Sequence, residues 1–389
     1  MVVHESLDAG IAILSSPVFI FVLLFLIGYG TLALSRRYSL PEPLILFGLG
    51  MVAHVFAPGV HIEWIVIGVL ALLMFDAGAH FLPRKFKGHS ILVLEFILYS
   101  FVLNTLLSGV LLYAFLLKSF STQLVVLAII LGSMITACSQ FEILKVFKVN
   151  KNRLYRLSQL EDHLSNPIML IIAIIALWFA KSITLNGSVA IMSVLSSLFI
   201  DIAVGVFFAL IVLGLTQKLF TRLPLVYLSA PIALLTYYQA ALFGGTGFIA
   251  VLVTSLFFHN SISKIPDMGE FGPFLSNMVY VFVFISLGYV VVITLASLFF
   301  AVVLFMLYLA IRFILLHYFL EADQHFLTLD CPKGLAVGAL VLVVILGQIS
   351  SFPGIPSLNV ALSSLILVFV MSIAVSYSAN VITHRIIKS

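Results

Sequence analysis

Charge is what this chain has least of. Only 9% of its 389 residues are Asp, Glu, Lys or Arg, fifteen acidic against nineteen basic. A soluble domain carries about 25%, so a water-facing surface cannot be built here. That excludes a soluble enzyme, a nucleic-acid binder and a disordered scaffold. Cysteine is almost absent too. Cys138 and Cys331 are the only two, which gives neither a disulfide framework nor a metal-ligand spacing. Residues 1–10 have no basic stretch and no small-residue cleavage site, so the first apolar segment is expected to be kept as a span. Long polar loops are also missing. The longest, 261–270, is too short for an attached soluble domain. The whole of 1–389 therefore reads as one membrane domain. No His/Ser/Asp arrangement or metal-ligand spacing occurs within the spans, so neither an enzyme nor a metal or cofactor is expected.

Apolar sequence fills the space left by charge. The chain is 63% hydrophobic with a mean hydropathy of +1.26. Thirteen runs are long enough to cross about 30 Å of hydrocarbon as helices: 16–34, 41–57, 62–82, 90–118, 122–148, 154–181, 187–217, 224–241, 244–260, 271–292, 294–320, 332–352 and 357–380. The division inside 271–320 is the least marked. Membrane barrel strands alternate polar and apolar over about ten residues, whereas these runs are apolar throughout. The fold class is all-α and polytopic.

The basic residues set an orientation. With the N-terminus outside, the cytoplasmic loops and tail gather Arg36, Arg37, Arg84, Lys85, Lys87, Lys145, Lys148, Lys151, Arg153, Arg156, Lys218, Arg222, Lys264, Arg385 and Lys388. Lys118 and Lys181 are left outside, and Arg312 and Lys333 fall at membrane depth. Such a bias is the positive-inside pattern. It accounts for the net charge of +4 without a nucleic-acid partner and predicts a cytoplasmic C-terminus.

A charge at membrane depth costs roughly 2.5–3.5 kcal/mol on insertion scales, so the few present are functional candidates. They are Asp76, Glu95, Glu142, Glu161, Asp162, Asp201, Arg312 and Lys333. Asp76 and Glu142 lie near predicted cytoplasmic ends, where solvation suffices. Glu95 and Asp201 face either an aqueous crevice or a helix partner. Glu161 and Asp162 are adjacent and followed by Ser165, Asn166 and Pro167. Asp162 and Asn166 are four apart and share a helix face, and Pro167 frees a backbone carbonyl nearby. These groups suit either a hard-cation site or a buried ion pair beside a proline kink. Gly244-Gly245-Thr246-Gly247-Phe248 lacks the Lys of a phosphate loop and opens an apolar helix, so it reads as close helix packing.

Several stretches, in order, carry a resemblance to a known family. Met74-Phe75-Asp76-Ala77-Gly78-Ala79-His80-Phe81, with Pro83-Arg84-Lys85 after it, resembles an "F-x-A-G-L-E" helix end and basic loop. GGTGFIAVLVTSLFFHN, Gly244 to Asn260, is similar to "G-S-G-F-L-A-V-F-V-A-G-L-x-x-G-N". FVFISLG, Phe282 to Gly288, resembles "F-x-F-x-x-L-G", and Cys331-Pro332-Lys333-Gly334 resembles "G-P-R-G" with Lys for Arg. The family is that of the sodium/proton exchangers, specifically the prokaryotic cation:proton antiporters of the CPA1 type. The resemblance implies two inverted six-helix repeats, 16–181 and 224–380, joined by a linking helix at 187–217, with discontinuous helices 5 and 12 crossing near the midplane. It also implies a homodimer in the cytoplasmic or inner membrane, exchanging a monovalent cation, Na⁺ first, for protons by alternating access.

The motif that carries the ion departs from the family's. The family's "T-D-P" falls on Cys138-Ser139-Gln140, and "E-S-x-x-N-D-P" falls on Glu161-Asp162-His163-Leu164-Ser165-Asn166-Pro167. Ser139 and Asn166 thus stand where the family has its two ion-binding aspartates, while Asp162 takes the place of the motif serine. The resemblance implies a cation and proton site at Asp162, Ser139, Cys138, Asn166 and Ser165. It implies a supporting ion pair between Glu161 and Arg312, and a charge at the helix crossing from Lys333. Ser139 and Asn166 can coordinate a cation but cannot release a proton, which leaves Asp162 as the exchanging acid. The same losses leave a second reading open, an exchanger-like channel, sensor or membrane subunit without proton coupling.

Overall fold

The computed structural model describes residues 25–32, 34–35, 40–56, 63–80, 90–117, 122–137, 153–186, 190–218, 226–261, 271–319, 335–348 and 358–388, and the side chains of Asp162 and His163 fall outside that description. Helix accounts for nearly all of it, and no strand occurs among the described residues. The described helices are α1 (25–32 and 34–35), α2 (Glu42–Phe56), α3 (Glu63–His80), α4 (Ser90–Leu111, continued by a π turn at Leu112–Leu117), α5 (Thr122–Thr136), α6 (Arg153–Asn186), α7 (Ala190–Lys218), α8 (Val226–Leu242), α9 (Phe248–Ser261), α10 (Phe271–Val290), α11 (Leu295–Phe319), α12 (Leu335–Gln348) and α13 (Leu358–Lys388). Among the described residues, each of the thirteen apolar runs holds one helix.

Length divides these helices by position. Ile91–Phe115, Ile191–Gly214, Leu295–Phe319 and Val360–Ser378 are long and apolar enough to cross a membrane by themselves. Three of them, in α4, α7 and α11, turn large apolar side chains outward, such as Leu106, Phe199, Phe207 and Ile314. Such faces suit lipid, which solvates them as well as protein does. Stretches of other helices lie inside the bundle. Residues 130–136 of α5, 281–289 of α10 and 361–369 of α13 are buried on every side, as expected of helices surrounded by helices. α5 has only 15 residues, about 22 Å, which is short of the hydrocarbon thickness. At 34 residues α6 is the longest helix, and it runs through Pro167 without a break.

Two helix pairs make particularly close approaches. A Cβ on Gly50 of α2 would overlap the Ile285 carbonyl of α10, and one on Gly288 of α10 would overlap the Phe47 carbonyl of α2. Glycine at both positions lets the two backbones touch, which is how helices gain packing where burial from water offers little. On the other pair, Ser255 of α9 donates its hydroxyl to the Phe75 carbonyl of α3.

The long run 271–320 breaks at residues 291–294. Thr294 caps α11: Ser297 N donates to Thr294 Oγ1 at 3.0 Å, and Thr294 N donates to Ser297 Oγ at 2.9 Å. This reciprocal arrangement satisfies helix-start donors that would otherwise be orphaned in an apolar setting. Ser364 of α13 then donates to the Ser297 carbonyl at 2.9 Å, which pins the break to α13.

Candidate functional site

The charged residues of α6 and α11 meet in the core. Glu161 lies two turns into α6, and Arg312 lies on α11, 151 residues away in sequence. Arg312 Nη1 donates to Glu161 Oε1 at 2.6 Å and Nη2 donates to Oε2 at 3.0 Å. Both residues are buried, Arg312 at 2% exposure and Glu161 at 6%. A fork of this kind matches a planar guanidinium to a planar carboxylate and gives geometry as well as charge neutrality. Two further groups fix the guanidinium. It lies 5.7 Å from the centroid of the Phe96 ring of α4, a cation–π distance. Tyr308, one turn before Arg312 on α11 and fully buried, receives a hydrogen bond from it. Glu161 is therefore held by a cation that is itself held from two sides.

One turn further along α6, Ser165 is fully buried and Asn166 is half-buried. Ser165 is one turn beyond Glu161, and Asn166 is one turn beyond Asp162, so the two pairs occupy neighbouring faces of α6. The backbone of Asp162 belongs to α6. Cys138, Ser139, Glu142, Lys333 and Cys331 lie outside the described residues. Of the sequence-derived site, then, the structure brings Glu161 and Arg312 into contact and puts Ser165 and Asn166 on the same helix as Glu161. Among the remaining acids, Asp76 and Glu95 are exposed on the protein surface.

Asp201 has a helix partner. It is fully buried on α7 and faces the turn between α8 and α9. Thr246 N donates to its Oδ2 at 3.1 Å, Gly247 N donates to its Oδ1 at 3.0 Å, and the Thr246 hydroxyl donates to Oδ2 as well. Ser197, one turn earlier on α7, donates to the Gly244 carbonyl at 2.8 Å. The turn can present its donors this way because Gly244 and Gly247 take φ of +90° and +80°, a region costly for other residues. A Cβ on Gly245 would overlap Asp201 Oδ1. The glycine-rich stretch is thus a turn built around a carboxylate. It delays the start of α9 to Phe248, four residues beyond the start expected from hydropathy, because the glycines are spent on positive φ and on donors aimed at Asp201. Asp201 in turn completes the buried N-terminus of α9, where a negative charge also meets the positive end of the helix dipole.

The two buried acids of the described residues, Glu161 and Asp201, thus have both carboxylate oxygens engaged by donors. Sequence reasoning on charged residues passed over the neutral groups that shape this region. Tyr308 and Phe96 frame Arg312. Asn104 of α4 is buried at 2% exposure and donates to Thr136 of α5 and to Ser100. The available signal was Ser100, Asn104 and Ser108 spaced by four within an otherwise apolar run.

No protein-family model matches the chain, and no curated protein matches it in sequence. Solved structures do match its fold. One is the sodium proton antiporter MjNhaP1 from Methanocaldococcus jannaschii, with a TM-score of 0.72 at 18% identity, covering 93% of this chain and 96% of that one. A second structure of the same antiporter, from an electron-microscopy map, gives a TM-score of 0.65 at 18% identity and covers 91% and 92%. Over nearly its whole length, this chain has the fold of a sodium/proton antiporter.

Proposed function

We propose that the protein is a secondary transporter of the prokaryotic cation:proton antiporter type, exchanging a monovalent cation, Na⁺ first, for H⁺ by alternating access. The fold match to a sodium proton antiporter over 93% of the chain carries this reading. In this reading Asp162 is the acid that holds either the cation or the proton, with Ser165, Asn166, Ser139 and Cys138 supplying neutral oxygen and sulfur around it. The engagement of Glu161 and Asp201 by their own donors supports the choice of Asp162. Exchange follows when cation and proton compete for one carboxylate, so that loading one expels the other. Glu161 and Arg312 hold α6 against α11 and keep their charges throughout the cycle, and Lys333 adds a positive charge where α12 begins.

The two inverted repeats, 16–181 and 224–380 about the linking helix α7, complete the proposal. Transporter repeats of this kind place the site where short, broken helices meet, here α5 and α12. The paired contacts α2 with α10 and α3 with α9 support it, since exchanging the repeats converts one pair into the other. The protein is proposed to work as a homodimer in the cytoplasmic or inner membrane, with its N-terminus outside and its C-terminus in the cytoplasm.

Purified protein in liposomes tests the proposal. An imposed pH gradient should drive Na⁺ movement, with K⁺ and Li⁺ run alongside to rank the ions, and Asp162→Asn should abolish it. Absence of pH-driven flux in the parent, with exchange appearing only in the Ser139→Asp, Asn166→Asp double variant, would favour an exchanger-like protein that has lost proton coupling.

A further inference from the structure

We infer that Asn104 is a positioning residue for cation binding, holding the end of the short helix α5 in register with α4. Asn104 Nδ2 donates to Thr136 Oγ1 of α5 at 3.1 Å and to Ser100 Oγ of its own helix at 3.2 Å. An amide nitrogen has two protons, and both are committed. Asn104 and Thr136 are 2% and 4% exposed, so no water competes for the bond. Thr136 is the last helical residue of α5, and Ala137 closes the final turn by donating to the Ser133 carbonyl at 3.0 Å. The bond therefore grips α5 where its helix stops, two residues before Cys138 and three before Ser139.

A second contact makes the grip local. One turn earlier, a Cβ on Gly132 would lie 2.6 Å from Thr105 Cα and 2.8 Å from Thr105 N. The α4 and α5 backbones thus touch directly beside the Asn104 bond, and α5 can neither slide nor turn there without breaking both. The same face of α4 continues to the ion pair. Phe96, Ser100 and Asn104 follow one another at intervals of four, which aligns them along one stripe. Phe96 underlies Arg312 at one end and Asn104 holds Thr136 at the other. About 12 Å of a single helix therefore fixes Glu161, through Arg312, relative to the end of α5. The proposed cation site takes its groups from both sides of that span.

This inference rests on the proposed cation site but does not require proton coupling. Its test is a double-mutant cycle on apparent Na⁺ affinity, using Asn104→Leu, Thr136→Val and the pair. Affinity is read both as the KM for flux and as Na⁺-dependent stabilisation of purified protein against heat. Each single variant should weaken Na⁺ about 3- to 10-fold, the range that one buried hydrogen bond spans, with kcat per folded protein changed less than KM. The pair should be no worse than either single variant, because one bond is removed in each case. Asn104→Asp, which can still accept from the Ser100 and Thr136 hydroxyls, should recover part of the affinity. Unchanged Na⁺ affinity in Asn104→Leu, or losses that add fully in the pair, would overturn the inference while leaving exchange intact. Na⁺ stabilisation without pH-driven flux in the parent would sink the exchange reading alone, and the cycle would still be read from binding. If the parent shows neither, both fall.

Discussion

Among the described residues two acids are buried, and they are kept in different ways. Glu161 is answered by a full positive charge, the Arg312 fork, reached across 151 residues. Asp201 is answered by neutral donors, two backbone N–H groups and a hydroxyl from a single tight turn. The first arrangement binds two helices through a charge pair whose halves are each costly alone. The second spreads one negative charge over the start of a helix, where unpaired N–H groups need an acceptor anyway. Both acids are stably buried, yet only the first leaves a second charge stranded if one partner is lost. In both, each carboxylate oxygen is met by at least one donor.

That contrast sets the order of expected damage. Arg312→Met should be the most destabilising change, by about 3–5 kcal/mol, because it leaves Glu161 as an uncompensated buried charge. Thermal unfolding in detergent measures it, and adding Glu161→Leu should restore much of the loss; a double variant as weak as the single would contradict the pair's isolation. Asp201→Ala should cost less, about 2–3 kcal/mol, since it strands neutral donors only. Its loss should show as faster amide exchange at the start of α9, with α6 and α11 unaffected. Thr246→Val should cost about 1 kcal/mol, as it removes one of three donors and retains the shape. If Thr246→Val proved as damaging as Asp201→Ala, the hydroxyl alone would be the clamp and the backbone donors incidental.

Much of the fold was legible in the sequence because continuous apolar runs of this length have few alternatives in a membrane. Every run became a helix, and even the weak division of 271–320 fell at 291–294, where Thr294 and Ser297 spell a cap. The pairing of Glu161 with Arg312 was accessible only through the family resemblance, since no local pattern links residues on α6 and α11. The partner of Asp201 was not accessible. Its glycine-rich turn is visible in the sequence and suggests packing, but a turn's sequence does not say which acid, 45 residues away, it will enclose. Asn104 was passed over because a neutral amide adds nothing to a count of charges. Its significance comes from burial against Thr136, which is a property of how α4 and α5 pack.

In the proposed mechanism Asp162 carries the exchange, while the buried Glu161 and Asp201 serve the framework. The most direct measurement compares pH-gradient-driven Na⁺ flux in proteoliposomes of the parent, Asp162→Asn and Thr246→Val, each scaled to the amount of folded protein. Flux is expected in the parent, lost in Asp162→Asn and retained in Thr246→Val, whose change touches only the Asp201 clamp. Flux that persists undiminished in Asp162→Asn would contradict that mechanism.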